Sequence, residues 1–150
     1  MAQEDWLAAS RNAWLPGLVA GLASASVLAW RGHREAGDAA GPLNGPSQWL
    51  WGRHAPSVRG FSARHTLVGF AIHVGAAGFW AVLFERLRPR MGVVPAAVTT
   101  SAIANVVDYQ LTPPRLQPGY ERRLSRTSLA WAYGAVALGF AAGAMLRRRS

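Results

Sequence analysis

Long apolar stretches alternate along the chain with short polar, arginine-bearing ones. Four blocks carry no Asp, Glu, Lys or Arg: Trp14–Trp30, Thr66–Phe84, Met91–Val107 and Thr127–Leu146. Each is about 17–20 residues long, which at roughly 1.5 Å per helical residue comes close to a hydrocarbon core of about 30 Å. A water-facing helix of that length would carry a charged outer stripe. These blocks carry none, so the pattern predicts transmembrane helices over residues 14–30, 66–84, 91–109 and 127–146. The predicted fold class is all-α: one integral membrane domain, a membrane-embedded four-helix bundle with a long connector between the first and second spans.

The punctuation around the blocks sharpens this. Trp14 and Trp30 bracket the first span, as aromatic side chains do at the two membrane surfaces. Trp6, Ala9 and Ala13 share a helical face and predict a short interfacial lead-in. The opening "MAQEDW" is acidic where a cleavable signal would be basic, so the first span is expected to be retained. Pro89 in "ERLRPR" predicts the end of the second span, Pro95 suits the first turn of the third, and Pro113 and Pro114 stop it. The connector Arg31–His65 holds "AGPLNGPSQWLWG" and far exceeds the usual helix–helix link of about 2–8 residues. It reads either as an interfacial or re-entrant segment at the headgroups or as an ordinary long loop.

Glycine spacing predicts close helix packing. Gly17 and Gly21, and again Gly139 and Gly143, form GxxxG pairs, and Gly69 lies on the second span. Such faces let another backbone approach, within the chain or from a second copy or another membrane protein.

Charge changes the picture less than its size suggests. The 16 basic residues are all Arg, set against 7 acidic ones, for a net charge of +9. The arginines flank the apolar blocks, so anionic lipid headgroups are the expected partner rather than nucleic acid. Orientation is nearly balanced. Arg11, Arg86, Arg88, Arg90, Arg147, Arg148 and Arg149 fall on one side, seven against the nine on the other. The absence of Cys excludes disulfides, thiolate metal sites and cysteine catalysis.

The polar residues inside the spans form the candidate chemistry. His65, Gly69 and His73 are spaced by four along one face of the second span, and Ser101, Asn105 and Asp108 share a face of the third. The two stripes match in depth, about 12 Å and about 10 Å. His73 is expected to meet Thr100 or Ser101, and His65 or Arg64 to meet Asp108. Two meanings stand open for His73: a neutral ring that fixes helix register, or an intramembrane site for protons or ions. Two histidines on one helix do not suit a bis-histidine haem. The spacing of His54, His65 and Asp108 gives little support to a metal site. No GxSxG, Walker or HExxH motif occurs, and no cofactor is expected.

Three stretches, "GPLNGPSQWLWG", "RHTLVGFAIHVGAAGFWAVLFERL" and "DYQLTPPRLQPGYERRLSRTSL", resemble a group of small proteobacterial inner-membrane proteins. The layout is also loosely similar to YagU-like membrane proteins. The resemblance implies a multi-pass helical protein of the bacterial inner membrane and carries no catalytic residue. The expected role is non-enzymatic: an accessory, envelope or interaction protein. The rivals are a small proton-linked transporter or channel using His65, His73, Asn105 and Asp108, and an enzyme acting at headgroup level through His54, His65 and Asp108.

Overall fold

Pro16 sets the first bend. It has no amide hydrogen, so the carbonyl of Asn12, four residues earlier, receives no helical donor. The chain breaks at that point into α1 (Ala2–Asn12) and α2 (Trp14–Ala36), bent by 46°. Arg147 supplies the missing donor, its Nη1 lying 2.6 Å from the Asn12 carbonyl oxygen. The computed structural model describes residues 2–148, so Arg149 of the arginine-rich tail lies outside the described residues.

After the connector, a π-helical turn over Ala63–Leu67 leads into α3 (Val68–Met91). This helix runs past the expected end at Phe84 and contains Pro89. It stops before Gly92, whose φ of 85° suits glycine. Then come α4 (Val93–Val106), a second π-helical turn over Val107–Leu111, and α5 (Arg126–Arg147). The described residues contain no strand, so the fold is all-helical.

Two of these helical stretches are long and apolar enough to cross a bilayer. Ala63–Met91 has 29 residues and holds an 18-residue window with a mean hydropathy of 1.9, and Arg126–Arg147 has 22 residues and a window of 1.6. The bent pair α1–α2 makes a third if it counts as one span. The expected span over 91–109 differs: α4 is an α-helix of 14 residues, about 21 Å long. Asn105 falls in its last turn and Asp108 beyond its end.

The chain divides into two compact units. The first holds the described residues of Met1–Ser24, Val74–Ala104 and Tyr133–Ser150. Its core is Ala13, Ala20, Ala81, Phe84, Ala96, Ala97, Phe140 and Ala144, with Phe84 and Phe140 stacked at 5.3 Å. Alanine and glycine dominate because the backbones nearly touch. A Cβ on Gly17 would lie 2.7 Å from the Gly78 Cα, and one on Gly143 would lie 2.5 Å from the Pro16 Cα. A Cβ on Gly139 would collide with Ala20, and one on Gly21 would press on Val74 at 3.2 Å. Close approach of this kind maximises dispersion contact between the helices. At one end of this unit Glu85, its side chain 1% exposed, accepts from Arg88 at 2.9 Å and from Arg147 at 3.2 Å.

The second unit holds Ala25–His73 and Asn105–Ala132. Its apolar core gathers Leu28, Tyr120, Leu124, Leu129 and Ala132. The connector is folded into it as short helical turns at Gly41–Asn44, Gly45–Ser47, Gln48–Trp51 and Ala55–Ser57. Buried polar side chains hold these turns. Asp38 accepts from the amides of Gly41 and Gly60, both at 2.9 Å, and pairs with Arg123 at 3.4 Å. Asn44, fully buried, donates to the carbonyls of Val58 and Gly60 and accepts from Thr66 Oγ1 at 2.6 Å. Arg123 also donates to the carbonyls of Pro56 and Val58, both at 2.8 Å. These bonds satisfy the backbone groups that a long loop would otherwise bury without partners.

Candidate functional site

His73 lies on α3 and is buried, with Nδ1 2.6 Å from the hydroxyl of Tyr120. The rings meet edge to face, centroids 5.9 Å apart at 76°. Tyr120 opens a short 3₁₀ turn, Tyr120–Arg122, and Gly119 before it adopts φ 84°, which only glycine takes easily. That kink turns the tyrosine into the core beside Leu28, Leu124 and Leu129. Burial, then Tyr109, Asp108 and Glu121, push the phenol well above its ordinary pKa, so it stays a hydroxyl. His73 and Tyr120 thus form a polar clasp that ties the loop after α4 to the helix α3.

The expected meeting of His73 with Ser101 gives way to other partners. Ser101 Oγ donates to the Tyr133 carbonyl at 2.6 Å. Thr100 is fully buried, and its hydroxyl has no hydrogen-bond partner among the described residues. Arg64 and His65 likewise find other partners than the expected Asp108. The Arg64 guanidinium lies 4.1 Å over the Trp51 ring, and Trp51 Nε1 donates to the Arg64 carbonyl at 3.0 Å. His65 Nδ1 sits 3.1 Å from Ser62 Oγ, and its ring meets the edge of His54 at 5.8 Å. Asn105 and Asp108 are half-buried.

The π-helical turns explain the difference. A π turn inserts one extra residue, which rotates every following side chain by about 100° about the axis. His65 lies within the turn before α3 and Asp108 within the turn after α4. Neither therefore sits on the unbroken α-helix that a spacing by four assumes.

The glycines occupy close approaches inside the chain. Besides Gly17, Gly21, Gly139 and Gly143, Gly69 faces the Leu43 carbonyl so closely that a Cβ would strike it. The Cβ positions of the GxxxG glycines are thus met by this chain's own helices. Among the described residues, no group of three His, Cys, Asp or Glu side chains could hold a metal ion.

Sequence reasoning missed Tyr120, Asp38, Asn44 and Arg123. The glycine before Tyr120 was the available signal for the first. The other three carried none, because each acts through partners distant in sequence. No family model, curated protein or solved structure matches the chain.

Proposed function

We propose that the chain is a small polytopic membrane protein with a non-enzymatic, accessory or interaction role. The membrane reading draws on exposure. Phe79 is 68% exposed and Leu138 73%, each on a helix apolar enough to span. Large side chains in such positions are cheap in lipid and costly in water. In this reading α4 and its π turn serve as a fourth, partly polar crossing beside the three apolar ones. Helical crossings suit the bacterial inner membrane that the resemblance implies, because spanning proteins of the outer membrane are barrels.

The observation that carries the role is the His73–Tyr120 bond. The histidine at mid-span holds a loop through its Nδ1, and a transporter would need the ring facing a path for its substrate. Reconstitution tests this. Proteoliposomes holding the purified chain should show no pH-driven proton or cation flux above protein-free vesicles. Flux that vanished in His73→Ala and survived in Arg90→Gln would replace the accessory reading with transport.

A further inference from the structure

An arginine-lined cleft of about 370 Å³ opens in the second unit. Its walls are Ala36, Pro56, Ser57, Arg59, Arg122 and Arg123. The three arginines differ. Arg123 is spent: its donors go to the Pro56 and Val58 carbonyls and its charge is matched by Asp38. Arg59 gives one bond to the Ala36 carbonyl at 3.3 Å, and Arg122 one to the Arg53 carbonyl at 2.9 Å. Among the described residues neither is ion-paired, and both are exposed. Two positioned arginines therefore line the cleft with most of their guanidinium donors unused, beside a third whose charge is already balanced.

We infer that this cleft binds a phosphate group. Two separate guanidinium planes call for an anion that accepts from several directions, and a tetrahedral phosphate offers more oxygens than a carboxylate does. The volume falls in the usual range for small-ligand sites, roughly 300–1,000 Å³. The phosphate could come from a lipid headgroup or from free phosphate. The neighbouring chain favours the lipid: Trp49, Leu50 and Phe61 of the same connector are 43%, 61% and 69% exposed, as residues dipping into the interface would be. Only that preference for lipid rests on the membrane reading above.

The native full-length chain in a neutral detergent is treated with phenylglyoxal, alone and with inorganic phosphate, phosphatidylglycerol or phosphatidylcholine, and modification is read at each arginine. Slower reaction at Arg59 and Arg122, with Arg90 unchanged, is the expected result. Protection by phosphatidylglycerol alone identifies a lipid headgroup, and protection by phosphate as well identifies a phosphate site open to free ligand. Protection that is absent, or equal at Arg90, overturns the proposal. In parallel the double variant Arg59→Gln, Arg122→Gln should lose about tenfold or more in apparent affinity for the protecting ligand. The double variant Arg11→Gln, Arg90→Gln should lose none. Unchanged affinity in the first variant with intact helical content would also overturn it, and should that variant fail to fold, the protection pattern on the native chain decides. Loss of the membrane reading would leave protection by free phosphate intact, so the two failures are distinguishable.

Discussion

The Nδ1 of His73 and the hydroxyl of Tyr120 stand 2.6 Å apart, both side chains buried, across 47 positions of sequence. A buried pair of this kind is costly to break from one side, because the remaining group is left without that partner. Tyr120→Phe and His73→Gln should each lower stability by about 1–2 kcal/mol. The double variant should lose less than the sum, because the bond is removed only once. Thermal unfolding of the four proteins in detergent, followed by circular dichroism, measures the coupling. Simple additivity would show that the clasp contributes nothing.

Glycine positions offer a paired test. Gly139→Ala must push a methyl into Ala20, and Gly17→Ala into Gly78. Each should cost about 1–3 kcal/mol through overpacking. Gly75 and Gly134 have nothing within contact range of a Cβ. Alanine there should be neutral, or stabilising by up to about 1 kcal/mol through helix propensity. Equal effects at the four sites in unfolding experiments would contradict the packing described.

Asp38 gives a pH dependence with a definite sign. Burial opposes its ionisation, but the amides of Gly60 and Gly41, and then Arg123, outweigh burial and hold the carboxyl below its ordinary pKa. A depressed native pKa stabilises the fold above the unfolded-state value, about 3.9, and that stability is lost as pH falls through the native value. Asp38→Asn should therefore destabilise the chain at neutral pH by about 2 kcal/mol or more. It should also flatten the fall in stability below about pH 4. Limited proteolysis of the connector against pH checks both. A variant as acid-sensitive as the native chain would show that another group carries the titration.

The bond from Arg147 to the Asn12 carbonyl exists because Pro16 cannot supply the helical donor. Pro16→Ala restores that amide. Arg147→Gln should then cost less in the Pro16→Ala background than in the native one, by about 0.5–1.5 kcal/mol. Equal costs in the two backgrounds, measured by chemical denaturation, would separate the arginine from the proline.

What the sequence made legible follows from range. Apolar blocks became helices because their pattern is local, and glycine faces became close contacts because the absence of Cβ is intrinsic. Helix ends were less legible. Trp14–Ala36 extends beyond Trp30, and Val68–Met91 continues through Pro89, since charged residues such as Arg31 and Arg86 continue a helix after its apolar stretch ends. The connector was not legible. Its order depends on Asp38 meeting Arg123, 85 positions away, and on Asn44 meeting Thr66. The polar stripe was half legible. The periodicity put His73 at mid-span, but it assumed unbroken α-helix, and His65 and Asp108 lie within the π-helical turns at Ala63–Leu67 and Val107–Leu111 instead.

The central claim is that lipid covers the apolar side chains that the chain itself leaves exposed. The chain has no cysteine, so a single introduced thiol reports one position. Phe79→Cys, Leu138→Cys and Arg59→Cys, each in the full chain in intact membranes, can be challenged with a water-soluble maleimide before and after denaturation. The lipid account predicts rapid labelling of Arg59→Cys and, at the two apolar positions, labelling only after denaturation. Prompt labelling of Phe79→Cys and Leu138→Cys in the folded chain would place water where this account places lipid, and would contradict it.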